Sequence, residues 1–319
     1  MSTPETQPPA AAPLEAPTTV AVPTSDIIDL YSGKELNESN ALKLAVERPV
    51  RLIVTGGPVD FGKTTLLTTL YELFQSNPVA GQRFAGSMTL PAFEQKCHLA
   101  RLASRNLRPN TQRTVYKPDP EYLHLRTSST EVPTNQTDFL FTDVSGEMFE
   151  RAIDSQEECK HLTFVKRANH LLLLFDTSKA LRPNRWAMLQ NSKTLLRSFL
   201  DNDMLSPYCV VTVVWSKYDY FEAASAAEKK ALTDFRALAT DQFQNDFGTR
   251  VADLRFKDIA AQPLRRQSLG LGKGVHELFS DWVSDSTELR KIDLHPNGLV
   301  GARESDRFAQ RYSADGTNP

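Results

Sequence analysis

Residues 50–64 have the sequence VRLIVTGGPVDFGKT. The fold of the whole chain can be predicted starting from this stretch. Its first part is an apolar run of strand length. Its second part fits the pattern GxxxxGK[ST] from Gly57 to Thr64, and residues 63–74 then have helical spacing. A strand, a glycine-bearing loop and a helix in this order are typical of a phosphate-binding loop, or P-loop.

The residues of this loop suit the phosphates of a nucleotide. Glycines let the loop turn so that backbone N–H groups face inward, and the N-terminus of the following helix adds positive potential. We expect Lys63 to bridge the β- and γ-phosphates and Thr64 to place its hydroxyl on Mg²⁺. The other loop residues predicted to contact nucleotide are Gly57, Asp60, Phe61, Gly62 and Thr65.

Apolar runs of strand length alternate with longer helical patterns on either side of the loop, which predicts an α/β domain around a mainly parallel sheet. The predicted strands are 50–55, 122–126, 137–143, 170–175, 210–215 and 251–256. The predicted helices are 63–74, 184–200, 226–245 and 275–283, and Pro91 can open a further one. The last helix carries an apolar stripe expected to face the core, made of Val275, Leu278, Phe279 and Trp282.

The composition limits the class of protein. The chain has 319 residues, of which 40% are hydrophobic, and a net charge of −2, which excludes a disordered chain. Its three cysteines, Cys97, Cys159 and Cys209, match no metal-ligand spacing, so we expect neither a zinc site nor a disulfide framework. No apolar run approaches the ~18 residues of a membrane span, and no secretory signal is evident. We expect a cytoplasmic protein.

Three regions are predicted along the chain. Six prolines fall within the first 23 residues, so residues 1–46 are expected to be a disordered Pro/Ala-rich tail and a short adaptor. The domain is expected over 47–285, followed by a polar tail over 286–319. Within the domain, residues 83–117 form a long insertion with a net charge of +6. Its basic residues are Arg83, Lys96, Arg101, Arg105, Arg108, Arg113 and Lys117.

A second signal follows about 80 residues after the loop, where the strand 137–143 ends in DVSGE. Asp143, at the carboxyl end of a strand beside the P-loop, can hold Mg²⁺ through water. Gly146, three residues later, can offer its N–H to the γ-phosphate. This pattern predicts that the two segments share one phosphate site.

A third signal concerns the base. The strand 210–215 is followed by SKYD, nearly the NKxD motif, and Asp219 can accept two hydrogen bonds from the amide face of guanine, which adenine does not present. Lys217 would pack along the ring. Ser216 stands in place of the usual asparagine, and its shorter hydroxyl can make only part of that network. In the loop 258–261, Ala260 and Ala261 are predicted to contact the base.

The order of these motifs resembles the Ras-like P-loop GTPase fold over roughly residues 48–285. This resemblance implies a three-layer α/β/α domain with six strands, of which 122–126 is an antiparallel edge. Four segments are more closely similar to the bacterial double-GTPase type 2 domain: GGPVDFGKTTLLTTLYELF, RFAGSMTLPAFEQKCHLARLASR, FTDVSGEMFERAIDSQEECKHL and VVWSKYDYFE. The resemblance implies a GTP-binding switch in a multi-gene conflict or regulatory system, with GTP or GDP and Mg²⁺ as ligands.

The resemblance also implies roles for single residues. The insertion corresponds to the first switch, where a threonine closes over Mg²⁺; Thr111 and Thr114 are the candidates, and Thr114 is preferred. Glu147 stands where many relatives have a glutamine that orients the attacking water. Its charge would oppose the phosphate oxygens, so we expect slow hydrolysis of GTP to GDP and phosphate.

An arginine supplied in cis is a further expectation. Val59 occupies a position where Ras-like proteins keep a small glycine, so an arginine from a partner would be crowded. Arg108 or Arg113 of the insertion could instead neutralise charge in the transition state. The alternative is that these arginines form a solvated basic face or a patch for a partner.

Two other functions fit parts of the pattern. A P-loop ATPase or small-substrate kinase would share the loop but not the base motif. A nucleotide-dependent adaptor would hydrolyse almost nothing and use the basic insertion to hold an acidic partner or nucleic acid. We expect GTP and a protein effector or second GTPase as partners, the latter through the switch regions. The near-neutral chain disfavours nucleic acid.

Overall fold

The computed structural model describes residues 32–98, 114, 116–263 and 269–285. This part of the chain forms a mostly parallel sheet of seven strands with helices on both sides. The strands are β1 Val50–Gly56, β2 Gln82–Gly86, β3 Tyr122–Ser129, β4 Gln136–Thr142, β5 His170–Asp176, β6 Val210–Ser216 and β7 Asp253–Asp258. Their order across the sheet is β2-β3-β4-β1-β5-β6-β7. The predicted α/β class is confirmed.

One or more helices separate most of these strands along the chain. The helices are α1 Glu38–Glu47, α2 Lys63–Ser76, α3 Leu90–His98, α4 Gly146–Asp154, α5 Gln156–His161, α6 Thr177–Ala180, α7 Arg185–Asp201, α8 Asp219–Ala223, α9 Ala226–Phe247 and α10 Val275–Ser284, with a 3₁₀ helix at Thr163–Arg167. The four helices predicted from spacing are α2, α7, α9 and α10. Within the described residues, no helix combines the length and apolar character that crossing a bilayer requires.

The edge of the sheet differs from the prediction. Six strands were expected with 122–126 at the edge, but β2 pairs with β3 on its outer side, so β3 is second from the edge. β3 runs antiparallel to both β2 and β4. Most of β2 is only partly buried or exposed, and it therefore lacks the apolar run that would have predicted a strand.

The core lies between the sheet and the helices that cover it. All seven residues of β5 are buried, as expected of a central strand with both faces covered. The predicted stripe on α10 is fully buried, and Phe279 packs its ring 5.2 Å from those of both Phe74 and Phe139. Arg51 of β1 donates hydrogen bonds to the carbonyl oxygens of Trp282 and Val283, which ties the end of α10 to the sheet.

The segment before β1 is also attached to the sheet. Leu36 and Tyr122 of β3 exchange two backbone hydrogen bonds of 2.9 Å. Asn37 then caps α1 by accepting a hydrogen bond from the N–H of Asn40. Part of the predicted adaptor is therefore folded as a bridge to β3 and a helix.

The topology gathers the three sequence motifs. β1, β4, β5 and β6 are parallel, and their carboxyl ends meet at one edge of the sheet. The P-loop follows β1, DVSGE follows β4, and SKYD begins at the last residue of β6. Loops after the carboxyl ends of parallel strands are where open α/β sheets bind ligands.

Leu278→Ala in α10 is expected to lower the free energy of unfolding by about 2–5 kcal/mol, because it removes a fully buried side chain from the core. Leu238→Ala in α9 is the matched control: Leu238 is 38% exposed, and its loss should cost less than about 1 kcal/mol. Urea unfolding measures both. Equal costs would contradict the placement of α10 in the core.

Candidate nucleotide-binding site

The P-loop turns sharply between β1 and α2. Gly62 has a φ of 91° and Asp60 a φ of 67°, both in the left-handed region. The Lys63 ammonium donates hydrogen bonds to the carbonyl oxygens of Gly57 (2.8 Å) and Pro58 (2.9 Å). The lysine thus spans the loop from its last part to its first, and Thr64 and Thr65 follow in the first turn of α2.

The Lys63 ammonium is buried beneath this loop. Burial lowers its pKa to about 8, although the charges of Glu150, Asp143 and Asp60 partly offset that effect. A lysine so far removed from water is poorly solvated. It would therefore interact strongly with an anion that entered the loop.

The start of α4 lies directly against the P-loop. A Cβ on Gly146 would come within 2.3 Å of the Val59 nitrogen and 2.5 Å of the Pro58 carbonyl carbon, so only glycine fits there. The Glu150 carboxylate accepts a hydrogen bond of 3.3 Å from the Val59 N–H. Glu147, in the first turn of α4, donates its backbone N–H to the capping Ser145 hydroxyl.

The three residues predicted to contact Mg²⁺ lie in one hydrogen-bonded chain. The Thr64 hydroxyl is 3.1 Å from the Thr114 hydroxyl, which donates to Asp143 Oδ1 at 3.2 Å. Hydroxyl and carboxylate oxygens suit Mg²⁺ when phosphates and water complete the shell, so this donor set fits the ion. No group of three or more His, Cys, Asp or Glu side chains among the described residues forms a separate metal cluster.

Sequence reasoning missed the cation at this site. The Lys96 ammonium of α3 is 2.6 Å from Asp143 Oδ2 and 3.0 Å from Glu35 Oε1. Burial disfavours its charge, but the two carboxylates outweigh burial and raise the pKa of Lys96 above its usual value. Lys96 was only one of seven basic residues in the insertion, and no local pattern distinguished it.

Ser216 joins β6 to the P-loop. Its hydroxyl is buried and lies 2.8 Å from the Phe61 carbonyl oxygen and 3.1 Å from the Phe175 carbonyl oxygen. The single hydroxyl proton is directed at backbone of the loop and of β5. The serine thus contacts the loop, and its one donor proton is used by the protein backbone.

Lys217 is held by a buried acid. Its backbone is left-handed, with a φ of 55°, and its ammonium lies 2.7 Å from Asp176 Oδ2. Asp176 is fully buried, and its other oxygen accepts hydrogen bonds from the N–H groups of Ser178 and Lys179. Lys179 in turn places its ammonium 4.4 Å from the centre of the Phe61 ring. The signal for Asp176 was available, since an acid ends the apolar run of β5.

The two segments predicted to contact the base lie side by side. Asp219 is the first residue of α8, and the preceding Tyr218 N–H donates to the Ile259 carbonyl at 3.0 Å. Ala260 donates to the Lys273 carbonyl at 3.0 Å, and the Ala261 carbonyl accepts from Gly272 at 2.9 Å. The loop after β7 is therefore fixed both to the SKYD segment and to the turn before α10.

The remaining predicted residues cannot be placed. Thr111, Arg108 and Arg113 lie outside the described residues. The structure thus brings together the P-loop, Gly146, Thr114, Asp143 and the SKYD segment, and adds Lys96, Glu150 and Asp176.

Among solved structures, one similar chain is the bacterial selenocysteine-specific elongation factor EF-Sec, at 14% identity and a TM-score of 0.36. That match covers 73% of this chain and 28% of the elongation factor. A search of curated proteins returned no match. The family model for Double-GTPase 2 matches residues 51–283, which is most of the chain and contains all three motifs. The matched region is a GTP-binding domain. The chain therefore belongs to the Double-GTPase 2 family.

Proposed function

We propose that the protein is a molecular switch that binds GTP with Mg²⁺ and hydrolyses it slowly. The observation that carries this proposal is the chain of contacts from Thr64 through Thr114 to Asp143. Thr114 lies near the end of the basic insertion, and Asp143 leads into α4. Both segments therefore meet the P-loop at one point, where a γ-phosphate would be recognised.

Each residue of the site has a proposed part in binding. Lys63 would turn its ammonium toward the β- and γ-phosphates, and Gly146 would donate its N–H to the γ-phosphate. Asp219 would accept from the guanine amide face, with Lys217 against the ring and Ala260 and Ala261 beside it. Thr64, Thr114 and Asp143 would hold Mg²⁺, which would supply positive charge to offset that of the phosphates.

The proposed switch follows from what hydrolysis removes. Without a γ-phosphate, the Gly146 N–H would lose its acceptor. Thr114 would lose its contact with the phosphate and would be held beside Thr64 less firmly. α4 and the insertion can then move apart, which is the usual consequence of hydrolysis in switches of this kind. A protein effector or a second GTPase would bind these two segments in one of their two arrangements.

The wider setting is also a proposal. The family resemblance implies a role in a bacterial conflict or regulatory system. The sequence pattern supports a cytoplasmic location and a domain over 47–285, with tails at 1–46 and 286–319. An adaptor with negligible hydrolysis remains the second candidate, because Glu147 places a negative charge at the start of α4, next to the P-loop.

Lys63→Ala is expected to weaken GTP binding about 100-fold or more, because charged hydrogen bonds to phosphate contribute about 1.5–3 kcal/mol each. Calorimetric titration measures the affinity, and circular dichroism checks that the fold is retained. Lys230→Ala, at an exposed position of α9, is the control and should bind as the parent does. Tight binding by Lys63→Ala would refute the P-loop assignment.

Asp219→Asn is expected to lower GTP affinity about 100-fold and leave ATP affinity unchanged. The amide keeps one acceptor oxygen but sets an NH₂ group against a donor of guanine, so two charge-assisted hydrogen bonds are affected. Asp234→Asn, on the exposed face of α9, is the matched control. If the GTP-over-ATP preference survives in Asp219→Asn, another residue reads the base.

Glu147→Gln is expected to raise the single-turnover rate of GTP hydrolysis several-fold above a parent rate on the order of 10⁻³ s⁻¹ or less. The reason is that a neutral amide can orient water without repelling phosphate oxygens. Glu157→Gln in α5 is the control. A slower Glu147→Gln variant would contradict the repulsion account and make Glu147 a general base.

The same assay tests the cis arginine. If Arg108 or Arg113 neutralises transition-state charge, its replacement by alanine should slow hydrolysis without weakening GTP binding. Unchanged rates in both variants would leave the insertion arginines as a basic face or a partner patch.

A further inference from the structure

We propose that Lys96 is a built-in counter-ion at the magnesium-binding acid, which makes nucleotide retention by this chain less dependent on Mg²⁺. This inference rests on the proposed function, because it concerns the same nucleotide site. It assigns to the basic insertion a specific electrostatic role that its composition did not reveal.

The position of Lys96 is set by the packing of α3. Phe93 of this helix stacks on Tyr71 of α2 with ring centres 4.8 Å apart, and Cys97 is fully buried. At the start of the helix, the Ala92 N–H donates to the Gly33 carbonyl at 3.0 Å. The packing of α3 therefore holds Lys96 beside Asp143, and Lys96 is not a freely moving surface side chain.

The two oxygens of Asp143 serve different groups. Oδ1 accepts from Thr114, which continues to Thr64, whereas Oδ2 lies 2.6 Å from the Lys96 ammonium. Both side chains are largely shielded from water, with 13% of Lys96 and 3% of Asp143 exposed. An ion pair with so little solvent around it is weakly screened, and the pair is close to neutral overall.

This neutralisation has two consequences for the nucleotide site. Asp143 attracts a divalent cation less strongly, because one positive charge already lies against it. Phosphates that bind beside Asp143 meet a carboxylate whose charge Lys96 already offsets, so less repulsion remains for the metal to neutralise. Nucleotide release should therefore be accelerated only modestly when Mg²⁺ is removed.

Glu35 limits how strongly the Lys96 ammonium offsets the charge of the Asp143 carboxylate. Its carboxylate shares the Lys96 ammonium at 3.0 Å, and the next residue, Leu36, is bonded to Tyr122 of β3. If the Glu35 charge were removed, the Lys96 ammonium would pair with Asp143 alone. Substitutions of Lys96 and of Glu35 are therefore expected to change the Mg²⁺ dependence of nucleotide release in opposite directions.

The test measures release of a fluorescent GDP analogue from the full-length chain in Mg²⁺ and in EDTA. In Lys96→Met, the acceleration caused by EDTA should increase about tenfold, and the Mg²⁺ concentration that half-maximally slows release should fall. Lys96→Arg should behave as the parent, and Lys230→Met is the control for loss of one positive charge. Glu35→Gln should reduce the EDTA effect below that of the parent.

The outcomes separate this inference from the proposed function. A parent chain that binds no guanine nucleotide refutes both. A parent that binds GDP, with the same EDTA effect in Lys96→Met as in Lys230→Met, refutes only the role of Lys96. A higher Mg²⁺ requirement in Lys96→Met refutes it too, because Lys96 would then orient Asp143 for the metal. If Lys96→Met does not fold, Glu35→Gln decides: an unchanged or larger EDTA effect there overturns the inference.

Discussion

The bent backbone of residues 57–62 is the constraint on which the site depends. Its carbonyl oxygens are held from two sides, by the Lys63 ammonium at Gly57 and Pro58 and by the Ser216 hydroxyl at Phe61. The left-handed conformation of Gly62 then starts α2 in the required direction. Contacts within the protein itself thus fix the shape of the loop, and such preorganisation limits the free energy lost in ordering a loop on binding.

The same loop sets where the neighbouring segments can lie. The Gly146 backbone packs so closely on Val59 that no side chain fits between them, and Asp143 is brought near Thr64 through Thr114. On the other side, Ser216 links the loop to β6 and hence to the segment that begins with Lys217. One turn of backbone therefore links the residues proposed to bind the phosphates to those proposed to bind the base.

Much of this arrangement could be predicted because sequence order constrains a parallel sheet. Once β1, β4 and β6 are recognised, the residues that follow them must share one edge. β2 could not be predicted in this way, because an edge strand that is half exposed carries no apolar run. The role of Ser216 was only partly foreseen: the pattern gave its position, but its bond to Phe61 depends on packing between distant segments.

Lys96 shows what local patterns cannot supply. Its charge was counted with the other basic residues of the insertion, but its burial beside Asp143 depends on α3 packing against α2. The insertion is thus more than a basic surface, since one of its charges reaches the nucleotide site. On the proposed account, a partner that moved α3 would take Lys96 away from Asp143 and so change the electrostatic environment of a bound nucleotide.

The central claim is that this site holds a guanine nucleotide. Native mass spectrometry of the purified chain with equal concentrations of GTP and ATP, in the presence of Mg²⁺, tests it most directly. The account predicts one bound nucleotide per chain, with the mass of GTP or GDP. Equal occupancy by ATP, or a chain that carries no nucleotide under these conditions, would contradict it.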